Sequence, residues 1–110
     1  MIAEQTPGDP QVTDWGSLTA AVSRMRAELF DIPIYDTPAA RAAVLMQQLV
    51  HVPALDHGNV LFAAGATYSY LVASGLKVAT SPEQVRDLAR QVKQGADFST
   101  ITEVLQSWIL

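Results

Sequence analysis

A chain of 110 residues with 49% hydrophobic and 16% charged residues is the size of one domain, able to bury roughly 60–65% of the surface its unfolded form exposes. Its net charge of −4 leaves no basic stripe to neutralise phosphate backbones, which excludes an ordinary nucleic-acid binder. Cysteine is absent, which excludes disulfides and thiol chemistry and fits a cytoplasmic protein.

Residues 1–12 hold two prolines, a glycine and little apolar periodicity, so a flexible N-terminal arm is expected, without the basic and apolar regions of a signal peptide. A single domain over 13–110 follows. Asp14 is an N-cap candidate for a helix near 15–29, with an apolar stripe of Leu18, Ala21, Val22, Met25 and Leu29. Phe30-Asp-Ile-Pro-Ile-Tyr-Asp36 reads as a short extended flap or hairpin, because Pro33 lacks a donor and biases Ile32 towards extended geometry. Ile32, Pro33, Ile34 and Tyr35 are its candidate edge for a target or partner segment, by strand addition; an ordinary loop over a buried Ile34 is the other reading.

Thr37-Pro38 opens a second helix over about 38–50, with Ala42, Val44, Leu45, Leu49 and Val50 inward. The loop 51–57 leads to a helix over about 58–74 that Gly75 closes. No charged residue occurs from Gly58 to Leu76, so this helix is expected to be central and buried on every side. Asn59, Thr67, Tyr68, Ser69 and Tyr70 within it argue against a membrane span. Tyr68 and Tyr70 read as core aromatics, and Trp15 and Trp108 as packing residues where the chain ends meet. Ser81-Pro82-Glu83-Gln84 is a capping-box start for a helix over about 82–94, in which Arg86, Arg90 and Lys93 form a solvated face. Asp97 or Ser99 caps a last helix near 99–109. The fold class is all-α.

Chemistry concentrates in the loop before the third helix. A helix start attracts anions through its free N–H groups, and Gly58 lets a phosphate approach while Asn59 offers a side-chain donor; a glycine that only permits the turn is the alternative. Asp56 beside such a cradle suits Mg²⁺ or serves as an N-cap, and His51 or His57 suits a general base or a solvated loop position. The two histidines and Asp56 lack the spacing of a transition-metal site. With so few charges, against a typical share of about 25%, an apolar patch for a partner or for self-association is expected.

The order of parts resembles the Fic/Doc superfamily, and most nearly its compact death-on-curing (Doc) branch. A helix ending in a flap, a second helix, a short loop, Gly-Asn opening a central helix, the segment SYLVASGLKV and the closing DFSTITEVLQSWI carry the likeness over about 13–109. It implies a compact helical bundle with the central helix at 58–74. The family motif, His-x-Phe-x-Asp-Gly-Asn-Lys-Arg, implies a His that activates a target hydroxyl, an acid that holds Mg²⁺, and Gly-Asn with two cations on the phosphates of ATP. Fic members transfer AMP; Doc transfers a phosphoryl group as a toxin restrained by an antitoxin.

Laid on this chain, Gly58 and Asn59 match, and Leu55 takes the Phe position as an apolar residue. Pro53 stands where the His belongs, His57 where the acid belongs, and Val60 and Leu61 where the cations belong. Loss of the base alone forfeits roughly 10²–10⁴ in rate, and loss of the cations removes the clamps of phosphoryl transfer. The reading is a Doc-like toxin homologue with a degenerate motif, a weak or inactive pseudo-enzyme working through protein contacts. Its partner is expected to be antitoxin-like or a second copy. Two alternatives stand. One is an active transferase in which His51 replaces the base and Asp56 binds Mg²⁺ with ATP; the other is a non-catalytic helical module.

Overall fold

The computed structural model describes residues 14–29, 32–33 and 35–110, and no side chain of 28–33 is considered. The arm of 1–12 and the flap residue Ile34 therefore lie outside the described residues. Among the described residues there are five helices, α1 Trp15–Met25, α2 Pro38–His51, α3 Asn59–Ala73, α4 Pro82–Lys93 and α5 Phe98–Trp108, with a short antiparallel pair, β1 Glu28–Leu29 and β2 Ile32–Pro33, between α1 and α2. The all-α class and the compact Doc-like bundle expected from the sequence are what the chain adopts.

Local chemistry starts most of these helices. Asp14, Thr37, Ser81 and Asp97 each accept a backbone N–H two or three residues into their helix, and Ser81 and Gln84 complete a reciprocal capping box. Pro38 and Pro82 fill the first helical positions, where no donor is needed. Gly75 follows the Ser74 cap of α3 at φ 82°, the left-handed turn a glycine makes without strain. α1 stops at Met25, short of the expected Leu29, because Glu28 and Leu29 pair with Pro33 and Ile32 as an antiparallel ribbon. The flap is thus a hairpin in its described part.

Burial concentrates on α2. It packs against α1, α3, α4 and α5, and Ala39, Ala42, Ala43, Val44 and Met46 are wholly sequestered along it. The three alanines let neighbouring helices come close, while Met46 fills irregular space between them. α3, though uncharged, packs chiefly on α2 and α4 and keeps an open side. Phe62, Ala63, Ala64, Thr67 and Leu71 face inward, and Thr67 satisfies its hydroxyl on the Ala63 carbonyl at 2.7 Å. Tyr68 and Val72 are 41% and 47% exposed, so Tyr68 is not the core aromatic expected, whereas Tyr70 does pack against the core. Trp108 is buried, but Trp15 is 65% exposed, so the two indoles do not form the expected shared packing site. Val22 likewise turns outward from the predicted α1 stripe. The connector after α3 is bridged to the segment following α5, Val78 opposite Ile109, by bonds from Ala79 N–H to Trp108 O and Leu110 N–H to Lys77 O.

Candidate functional site

The loop between α2 and α3 is held from two directions. On the α1 side, Asp14 N–H donates to the Ala54 carbonyl at 3.1 Å, and the buried Ser17 hydroxyl donates to the Val52 carbonyl. On the α3 side, the Asn59 carboxamide brackets Leu55, accepting its N–H and donating to its carbonyl, both at 3.0 Å. Leu55 itself is 3% exposed and plugs the core. The apolar residue at this point of the motif is therefore the anchor that sets the loop's depth.

Asn59 was expected to offer a donor to an anion. Its carboxamide instead spends its oxygen and one hydrogen on Leu55, leaving the second amide hydrogen for another acceptor. Gly58 precedes it at φ 72°, ψ 22°, in the left-handed region that lets the chain turn into α3. As the N-cap residue, Gly58 brings no side chain of its own to this helix start. The expected N-cap role of Asp56 falls to Gly58.

Asp56 and His57 project from the loop as a pair, His57 Nδ1 lying 2.8 Å from Asp56 Oδ1 with both side chains about half exposed. His51 is exposed at the last residue of α2. Among the described residues no group of three or more His, Asp or Glu side chains is placed to hold a metal ion. Divalent-cation binding here would rest on Asp56 with a ligand's own oxygens.

A cavity of about 330 Å³ opens at the start of α3, lined by Val50, Pro53, Gly58, Asn59, Val60, Leu61 and Lys93. It brings together the Gly-Asn turn, the residue at the motif's base position and both residues at its cation positions. Lys93, from the last turn of α4, is the residue that sequence reasoning missed. It lies on the solvated face expected of it, and the antiparallel course of α4 beside α3 also carries it to the mouth of the cradle. The i, i+4, i+7 spacing of Arg86, Arg90 and Lys93 was the available signal.

The flap is anchored where it meets the bundle. Arg41 Nε donates to the Tyr35 carbonyl at 2.8 Å, and the Tyr35 ring sits 5.6 Å from that of Phe98, tilted by 56°. Ile32 and Pro33 lie in β2. Tyr35 is thus a hinge post tying the flap to α2 and α5.

No family model and no solved structure matches the chain. A curated protein does: the chain is 32% identical over 87 residues to the toxin Doc of Mycolicibacterium smegmatis, covering 77% of this chain and 67% of the relative. The chain belongs to the Doc toxin family. The helical bundle and the Gly58-Asn59 turn agree with that membership, while Pro53, Val60 and Leu61 depart from the motif of the Fic/Doc superfamily. No described helix is long and apolar enough to cross a membrane.

Proposed function

We propose that this chain is a toxin-like member of a toxin–antitoxin module whose motif has lost its transferase chemistry and which works through contacts with a protein partner. One observation carries the reading: the cavity at the start of α3 meets Pro53 where a base would stand, and Val60 and Leu61 where cations would clamp phosphates. Proline has no proton to exchange, so nothing at that position activates a target hydroxyl.

The fit of the family's ligand is partial. A helix start with glycine at its cap and the ammonium of Lys93 suit one phosphate group, and Asp56 nearby is the carboxylate for an accompanying Mg²⁺. When bound, ATP would supply the transferable group. The chain's own residues would hold it weakly, with one cation in place of two. His51 is the remaining candidate for a base in the active alternative, and its place on the exposed end of α2 leaves it without a carboxylate partner to orient it among the described contacts.

The test is calorimetric titration with ATP, with and without Mg²⁺, followed by incubation with ATP labelled in its α- or γ-phosphate. Weak binding that Lys93→Glu abolishes, with no label passed to protein, supports the reading. Label transfer that His51→Ala eliminates overturns it in favour of an active transferase. Failure to bind millimolar ATP removes the phosphate site and leaves the protein contacts alone.

A further inference from the structure

α4 and α5 each pack on α2 and leave a cleft between them. The turn at 94–97 joins the two helices at one end of it. At the other end Ala79 N–H donates to Trp108 O at 2.7 Å, which ties the last residue of α5 to the connector leading into α4. Chain continuity at one end and a backbone bond at the other thus set the width of the cleft. It holds a cavity of about 200 Å³, below the roughly 300–1,000 Å³ of a pocket for a drug-sized molecule, so its occupant is small.

The lining divides into an apolar wall and an acceptor edge. Leu88, Val104 and Trp108 supply the wall, with Leu88 and Trp108 both buried. Gln84, Asp87 and Gln91, at the i, i+3, i+7 spacing of one helical face, supply the edge from α4. Gln84 is held in the capping box, its carboxamide oxygen accepting the Ser81 N–H at 2.9 Å and the Thr80 hydroxyl at 3.0 Å. Gln91 Nε2 donates to Asp87 Oδ2 at 2.9 Å, which fixes the carboxylate and leaves Asp87 Oδ1 and Gln91 Oε1 as acceptors. No lysine or arginine lines the cavity, and among the described residues none pairs with Asp87.

We propose that this cleft binds a small aliphatic amine as its ammonium ion, the charged end on Asp87 and Gln91 and the alkyl chain against Leu88, Val104 and the Trp108 ring. A carboxylate in a cavity whose wall carries no cation selects a positive ligand. A hydrated inorganic ion gains little from one carboxylate, and among the described residues no three acids or histidines converge to strip its water. An indole and two aliphatic side chains instead favour an organic cation, through the ring's quadrupole and the burial of methylene groups. Separate acceptors on Asp87 and Gln91 suit the three donors of an ammonium better than the flat fork of a guanidinium, which seeks both oxygens of one carboxylate. The bound amine bridges α4 and α5. None of these residues belongs to the cavity at the α3 start or to the flap, so the inference goes beyond the proposed partner contact and can fail apart from it.

The probe is n-butylammonium, compared with butanol, butyrate, methylguanidinium and an Nα-acetyl-lysine amide that mimics a protein side chain. Of the chain's two tryptophans Trp15 is 65% exposed, so in a Trp15→Phe background the emission reports Trp108. Butylammonium is expected to bind in the millimolar range, to change that emission, and to shift the ¹⁵N resonances of Gln84, Asp87, Gln91 and the Trp108 indole. Butanol and butyrate should leave all of these unmoved. Asp87→Asn, at an exposed position that folding tolerates, should weaken binding about tenfold through loss of one charge-assisted contact. Val104→Trp, at the half-buried rim, should block the cleft and abolish it. Equal response to butanol or butyrate, indifference to Asp87→Asn, or shifts confined to other residues would overturn the inference. Tighter binding of methylguanidinium would overturn the choice of an ammonium, and tighter binding of the lysine amide would overturn the free amine in favour of a protein side chain.

Discussion

The Asn59 carboxamide closes on both backbone polar groups of Leu55, taking its N–H and giving to its carbonyl at 3.0 Å each. A motif asparagine thereby acts as a clamp on the loop that precedes its own helix. Asn59→Ala leaves two part-buried backbone groups without their partner and should cost about 1–3 kcal/mol, read as a lower midpoint in urea. Asn59→Asp keeps the acceptor but sets a carboxylate oxygen against the Leu55 carbonyl, so it should recover only part of that loss.

Gly58 at φ 72° is a second backbone constraint at the same turn. Gly58→Ala should destabilise by about 1–2 kcal/mol, and Gly58→Asn by less, since asparagine enters the left-handed region more readily. Equal stability of all three proteins by thermal melting would mean that the turn relaxes to negative φ.

Core volume should matter most on α2. Met46 is fully buried, and Met46→Ala should cost about 2–5 kcal/mol through lost burial and a residual cavity. Ala43→Leu, at a site of no exposure, should cost about 1–3 kcal/mol by pushing a neighbouring helix away. Chemical denaturation of both variants decides whether α2 is the helix on which the bundle closes.

Acid should loosen the start of α5. The bonds from Thr100, its backbone N–H foremost, hold the Asp97 carboxyl below the ordinary carboxylate range. A carboxyl depressed in the folded state contributes stability above its unfolded pKa, near 4, and loses it as pH falls through the lower folded value. Asp97→Ala should therefore melt below the parent protein at neutral pH, with the gap narrowing under acid. A gap that stays constant from pH 7 to the acid limb would show that the cap does not depend on charge.

Returning a cation to the motif should strengthen the cradle. Leu61 lines the cavity beside Gly58, and Leu61→Arg should tighten ATP binding by about tenfold, the effect of one charge-assisted contact of about 1.5 kcal/mol. Calorimetry on this variant, beside Lys93→Glu, separates what the motif position at Leu61 has lost from what Lys93 still supplies.

The sequence made the helices legible because their starts carry explicit chemistry: Asp14, Thr37-Pro38, Ser81-Pro82 with Gln84, and Asp97 all cap as written. It was less informative about which apolar faces are covered. Tyr68, Trp15 and Val22 keep helical spacing, but spacing says only that a face is apolar, not that a neighbour covers it. The site was half legible for a related reason. Asp56, Gly58 and Asn59 fall within one four-residue stretch, whereas Lys93 meets Gly58 and Asn59 only because α4 runs back beside α3.

The bonds that set the path of the motif loop run from Asp14 to Ala54, from Ser17 to Val52 and from Asn59 to Leu55. Each of these bonds ends on main chain, and none of them uses the side chain at position 53. A substitution at that position can therefore trade one chemistry for another while the ribbon beneath it keeps its course. In such a scaffold catalysis is separable from architecture: a lineage can shed a reaction, or regain it, by a handful of point changes without passing through an unfolded intermediate.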